Sequence, residues 1–113
     1  MTAIEDPIEY DITIRSDTDH SWKFRRKSAD GTILIPTAAR AEIRSISTGE
    51  LWETLTCIID GDGWIDVTMP HIQSDDVFWS KRLNGEWDLL VTYSAKQYRW
   101  VEGKAIVDIG VTK

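Results

Sequence analysis

A nucleophile in a protein needs a base within hydrogen-bonding reach, and the base needs a third group to orient it. The parts on offer are Cys57, His20, His71 and a scatter of aspartates. Cys57 lies in an alternating apolar stretch, His20 borders a polar turn and His71 follows Pro70, so nothing in their spacing brings them together. A buried thiol and two surface imidazoles are the expectation, with no catalytic residue. Asp60-Gly61-Asp62-Gly63-Trp64-Ile65-Asp66 echoes a calcium loop with ligands at alternate positions. It lacks the content: Trp64 sits at a ligand position, the sixth position is not glycine and the closing Glu is missing, which leaves a hairpin turn. Asp75-Asp76 reads as a helix start, and no glycine-rich loop leads into a helix that could hold phosphate at its N-terminus. One cysteine forms no internal disulfide, and one cysteine with two histidines is too few soft ligands for structural zinc. No cofactor and no metal are expected.

The other chemistry-bearing feature is aromatic. Six tryptophans in 113 residues is several times the usual frequency. Trp22, Trp87 and Trp100 fall on the inward side of alternating segments and are expected in the core. Trp52, Trp64 and Trp79 have polar strand-mates or lie in an irregular segment, so they are divided between sheet-cover packing and a contact surface. Beside Asp and Asn they could also offer sugars a stacking platform. The run Trp22-Lys23-Phe24-Arg25-Arg26-Lys27 interleaves cations with aromatics in the manner of a nucleic-acid patch. Strand geometry separates them: alternation puts Lys23, Arg25 and Lys27 on one wet face and sends Trp22 and Phe24 to the other. The cations then serve to keep an edge strand from aggregating, or to dock on an acidic protein neighbour.

Positioning these residues falls to short strands. Ile8, Tyr10, Ile12 and Ile14 alternate with Glu9, Asp11, Thr13 and Arg15, the mark of a half-buried strand. A second strand carries Trp22 to Lys27, and Asp30-Gly31 turns the chain into Ile33-Leu34-Ile35, which Pro36 ends. Residues 39–46 and 51–59 follow as strands, the second with Leu51, Leu55, Cys57 and Ile59 on one side and Trp52, Thr54, Thr56 and Ile58 on the other. Asp60 to Gly63 makes a hairpin into a strand reaching Met69. Residues 70–83 show no alternation, and a Ser or Asp cap before Val77-Phe78-Trp79 predicts one short helical turn near 72–80. Trp87 to Tyr93 and Tyr98 to Val111 close the pattern, with Gly103 as a bulge where the face changes. Short strands at 8 to 12-residue spacing predict an all-β fold, a single antiparallel Ig-like β-sandwich of about seven to nine strands. It occupies residues 8–113, with 1–7 as a flexible N-terminal arm.

Composition agrees with one folded domain. A hydrophobic fraction of 42% is too high for a disordered chain. No apolar run approaches the roughly 18 residues that span a bilayer, so no membrane partner is expected. A formal net charge of -6 repels polyphosphate, which makes nucleic acid a poor partner.

Gly85-Glu86-Trp87-Asp88-Leu89-Leu90-Val91-Thr92-Tyr93 followed by Tyr98-Arg99-Trp100-Val101-Glu102-Gly103-Lys104-Ala105-Ile106-Val107 resembles the closing hairpin of small β-sandwich proteins of tailed bacteriophages. Trp22-Lys23-Phe24, the turn Asp30-Gly31-Thr32 and the strand Ala41-Glu42-Ile43-Arg44 are similar to their opening, so the likeness covers nearly the whole chain. The families are the LtfC-like β-sandwich proteins of phages infecting actinobacteria and, more distantly, the N-terminal domain of baseplate upper proteins. The resemblance implies a non-enzymatic virion part, made in the host cytoplasm and docked on other virion proteins in the tail or baseplate. Alternatives are a head decoration protein and a carbohydrate-binding module. The compact length departs from baseplate proteins, which continue into coiled-coil or receptor-binding regions, so direct host recognition is not expected. The contact residues expected on this reading are Lys23, Arg25, Lys27, Trp52, Trp64 and Trp79, in a homo- or hetero-oligomeric assembly. Removing Met1 to Asp6 is expected to leave the thermal melting curve unchanged while weakening incorporation into particles.

Overall fold

The computed structural model describes residues 7–15, 19–69 and 84–108. Within them the chain is all-β and β-sandwich-like, and the helical turn expected near 72–80 lies outside the described residues. Among the described residues ten strands run in the order β1 (Ile8–Glu9), β2 (Ile12–Arg15), β3 (His20–Phe24), β4 (Arg26–Lys27), β5 (Ile33–Leu34), β6 (Ala38–Ser45), β7 (Leu51–Ile59), β8 (Ile65–Met69), β9 (Asn84–Tyr93) and β10 (Lys96–Asp108). Eight of them form one sheet in the order β1-β10-β9-β6-β7-β8-β3, with β2 also on β10, while β4 and β5 form a separate hairpin. The large sheet curls into a half-barrel. Its inner side holds Ile12, Ile14, Ile43, Leu55, Ile65, Val67, Trp87, Leu89, Val91 and Trp100, all buried.

Most ladders are antiparallel, as two-residue and short hairpin connections require. The Ser94-Ala95 turn between β9 and β10 holds both residues at positive φ, 54° and 66°, the geometry that matches a right-handed strand twist. One departure from the antiparallel expectation is on β10, which runs parallel to both β1 and β2. The long alternation from Ile8 to Arg15 is therefore divided. Ile8 and Tyr10 stay exposed, whereas Ile12 and Ile14 are buried.

The break at Tyr10-Asp11 has a visible cause on β10. A Cβ at Gly103 would stand 2.2 Å from the Tyr10 carbonyl oxygen, so only glycine admits this approach. That oxygen accepts the Trp87 indole N–H at 2.7 Å, and the Asp11 carboxylate accepts the Lys104 amide at 2.9 Å. Gly103 is thus a close-approach residue; the irregularity on this strand comes earlier, between Arg99 and Val101. Trp100 is the extra residue there, and its carbonyl accepts the buried Arg26 guanidinium at 3.3 Å.

Arg26 also marks where the expected strand from Trp22 to Lys27 changes allegiance. At Arg25 the chain leaves β8, Arg26 turns inward, and β4 pairs with β5 instead. Leu34 seats this hairpin in the core. The Asp30-Gly31 turn is as expected: Gly31 has φ 89°, and Asp30 accepts both the Ser28 hydroxyl and the Thr32 amide. Those hydrogen bonds hold the Asp30 carboxyl down at about 2. Its stabilising contribution is complete above the ordinary value of 3.8 and fades as pH falls toward 2.

Gly103→Ala is expected to cost more than about 2 kcal/mol, because the clash is with backbone. Gly31→Ala, in open space at positive φ, should cost only about 1 kcal/mol. Trp87→Ala removes a fully packed ring and should cost roughly 3 to 5 kcal/mol. Urea unfolding of the three variants checks the ranking, and an unchanged midpoint for Gly103→Ala contradicts the packing described.

Candidate functional site

Cross-strand register assembles a charged face on the outer side of the curled sheet. Glu42 on β6 pairs with Asp88 on β9, Asp88 with Glu102 on β10, and Glu102 with Glu9 on β1. Residues in register share a face and stand about 5 Å apart, so four carboxylates form a row across four strands. Like charges so placed repel, and cations in the flanking rows offset them. Arg44 and Lys104 stand on either side of Glu86 one row away, while Arg40 and Arg99 stand on either side of Leu90 in the other direction.

The pairings are specific. Arg99 reaches Asp88 at 3.3 Å and Glu102 at 3.7 Å. Arg40 reaches Glu42 at 3.8 Å, and Arg44 makes a close ion pair with the same carboxylate. Glu9 has no ion pair among the described residues. Burial is the leading influence on Asp88 and lifts its carboxyl above the ordinary 3.8, against the opposing pull of Arg99. The protonated form is favoured more in the folded than in the unfolded chain, so Asp88's contribution to stability declines as pH rises through that window. Between these rows lies an open groove of about 440 Å³, its walls including Arg44, Glu86, Asp88, Arg99 and Lys104. Its shallow, mixed-charge surface suits a complementary protein face.

The residues singled out in the sequence are dispersed. Lys23 is exposed on β3, in register with Asp66 of β8, and makes no ion pair among the described residues. Arg25 lies over the Trp64 ring, 4.4 Å from its centroid. Trp22 and Phe24 pack against the core while Lys23 stays exposed, as alternation requires; the ring that Arg25 covers is that of Trp64, which precedes Ile65, the register partner of Phe24. Lys27 belongs to the β4–β5 hairpin, so the three cations do not form one strip.

The tryptophans divide likewise. A register shift between Ile43 and Arg44 pairs Arg44 with Leu51 and leaves Trp52 as the extra residue. Leu51 is exposed, and Trp52 packs against the core, its ring over Gly85 where a Cβ would meet it at 2.6 Å. Trp64 is on the outer side under Arg25, and Trp79 lies outside the described residues. Trp52 and Trp64 thus form no common platform. Trp22 is packed against the core as expected.

His20 is half-buried, and its Nε2 accepts the amide of Arg15 five residues back across the β2–β3 connection, which the surface reading did not anticipate. Cys57 faces the core side of β7, and burial pushes its thiol up to about 11. No group of three or more metal-ligating side chains is gathered among the described residues.

The acidic row escaped the sequence because each strand contributes one or two charges to a wet face, which alone is unremarkable. Only the register joins Glu9 to residues far along the chain. The available signal was the spacing of Glu42, Asp88 and Glu102 on outward positions of three separate alternating runs. The chain matches no model of a known protein family and no curated protein.

The raised Cys57 pKa sets an expectation for its reactivity. At pH 8 a disulfide reagent such as DTNB should label the native thiol roughly 100-fold more slowly than the urea-unfolded chain, following the thiolate population. Equal rates in the two states would show the thiol to be unprotected.

Proposed function

We propose that the chain is a non-enzymatic structural component of a tailed-bacteriophage particle, docked by protein–protein contacts in the tail or baseplate. The observation that carries the docking reading is the ordered charge on the outer sheet face: Glu9, Glu42, Asp88 and Glu102 in one row, with cations in the rows beside it. Such a face selects a partner by matching rows of opposite sign, which fixes orientation and register more than raw affinity. The likeness of the closing hairpin and of the Trp22 strand to phage β-sandwich proteins supports the particle context.

The partner, on this reading, is a neighbouring virion protein that presents basic residues to the carboxylate row. A head shell would offer the same docking chemistry at a different site. The carbohydrate alternative draws less support, since Trp52 is turned to the core and Arg25 covers Trp64.

Particles purified from cells producing a phage that encodes this chain should contain it at fixed stoichiometry, with cross-links from Lys104 to a neighbour. Reversing the two exposed carboxylates together, Glu9→Lys with Glu102→Lys, should lower incorporation at least about tenfold, while Asp62→Lys in the distant hairpin turn leaves it unchanged. Absence of the chain from particles overturns the virion role; full incorporation of the double variant overturns the docking face.

A further inference from the structure

The two ends of the curled sheet come back toward each other, and β2 and β3 face across a seam with no backbone ladder between them. Side chains close it. Tyr10 meets Phe24 edge-on with ring centroids 5.4 Å apart, and Phe24 continues to Trp87 at 5.6 Å. At the other end of β3 the Arg15 amide donates to Nε2 of His20 at 3.0 Å. The imidazole is stacked on Trp22, centroids 5.4 Å apart and planes within 12°. Its Nδ1 is buried without a hydrogen-bond partner among the described residues.

We propose that His20 is a pH-sensitive clasp that holds the β2–β3 seam shut while neutral and releases the end of β2 when protonated. An Nε2 that accepts a hydrogen bond obliges the neutral ring to carry its proton on Nδ1. The next proton from solvent can bind only at the Nε2 lone pair, where the Arg15 N–H already points. Imidazolium has no acceptor, so two donors then oppose each other and the Arg15 contact is lost.

The surroundings favour the neutral form at neutral pH. Burial lowers the His20 pKa from its ordinary 6.5, Arg15 on β2 lowers it further, and Asp19, just before β3, opposes both. On β8 and β7 the neighbours are Met69, Thr68 and Thr56, none of which titrates. With Asp19 and Ser21 they line a depression of about 420 Å³ beside the ring. A histidine whose folded pKa is lowered withdraws stability as pH falls below 6.5, in agreement with a contact that opens in mild acid.

Nuclear magnetic resonance of the ¹⁵N-labelled full chain tests the clasp. The neutral ring should show the Nδ1–H tautomer, and the Arg15 amide should shift with the same midpoint as the His20 ring, below 6.5. The protection of that amide, corrected for intrinsic exchange, should fall about tenfold across the transition. In His20→Gln, whose side-chain oxygen accepts at every pH, the Arg15 transition should vanish. An Nε2–H tautomer, an Arg15 amide indifferent to His20 titration, or the same transition persisting in His20→Gln would each overturn the proposal. The tautomer and midpoint readings need only the unaltered chain, so the test stands if the variant does not fold.

Discussion

The structure depends on β10 being paired along both of its edges. β9 takes one side over ten register pairs, and β1 and β2 share the other in parallel. A strand enclosed in this way has little freedom to shift, and its neighbours must accommodate any irregularity. Two do. The Tyr10 backbone crosses Gly103 at a distance no side chain would permit, and the carbonyl released by the Trp100 irregularity is claimed by Arg26. The first divides β1 from β2; the second fastens the β4–β5 hairpin to the sheet. An ionised guanidinium in a core is costly without a partner, and the bulged carbonyl supplies one.

Much of the strand pattern was legible because each strand has one wet face and the side-chain period is two. β6, β7 and β8 fall within a residue or two of their expected limits, and Trp87 and Trp100 are buried as their alternation requires. What alternation cannot convey is a change of face within a run. Three places show it: Tyr10-Asp11, Arg25 and Trp52. Each is a residue where one strand conforms to another distant in sequence, through Gly103, β5 or the Ile43–Arg44 shift. The physical cause is in the partner, so the local sequence looks regular.

The candidate site was hidden for a related reason. Lys23, Arg25 and Lys27 attract attention because they are adjacent, yet the strand break scatters them over a sheet edge, an aromatic ring and a separate hairpin. Glu9, Glu42, Asp88 and Glu102 attract none, yet pairing collects them. In a β-domain, lateral neighbours are set by register, and register is a property of the whole sheet.

The parallel join of β2 to β10 has a consequence for how the molecule is made. The Asp11 carboxylate and the Lys104 amide it holds are 93 residues apart. A contact of such sequence separation demands that a very long loop be closed before any energy is returned, which places the chain among high-contact-order, slow-folding topologies. During synthesis the core residues Ile12 and Ile14 must wait, unpaired, until nearly all of β10 has emerged. The early strands are therefore exposed to mispairing for most of the time the ribosome is at work, and the nascent chain stands to gain from a chaperone that shields apolar strand edges.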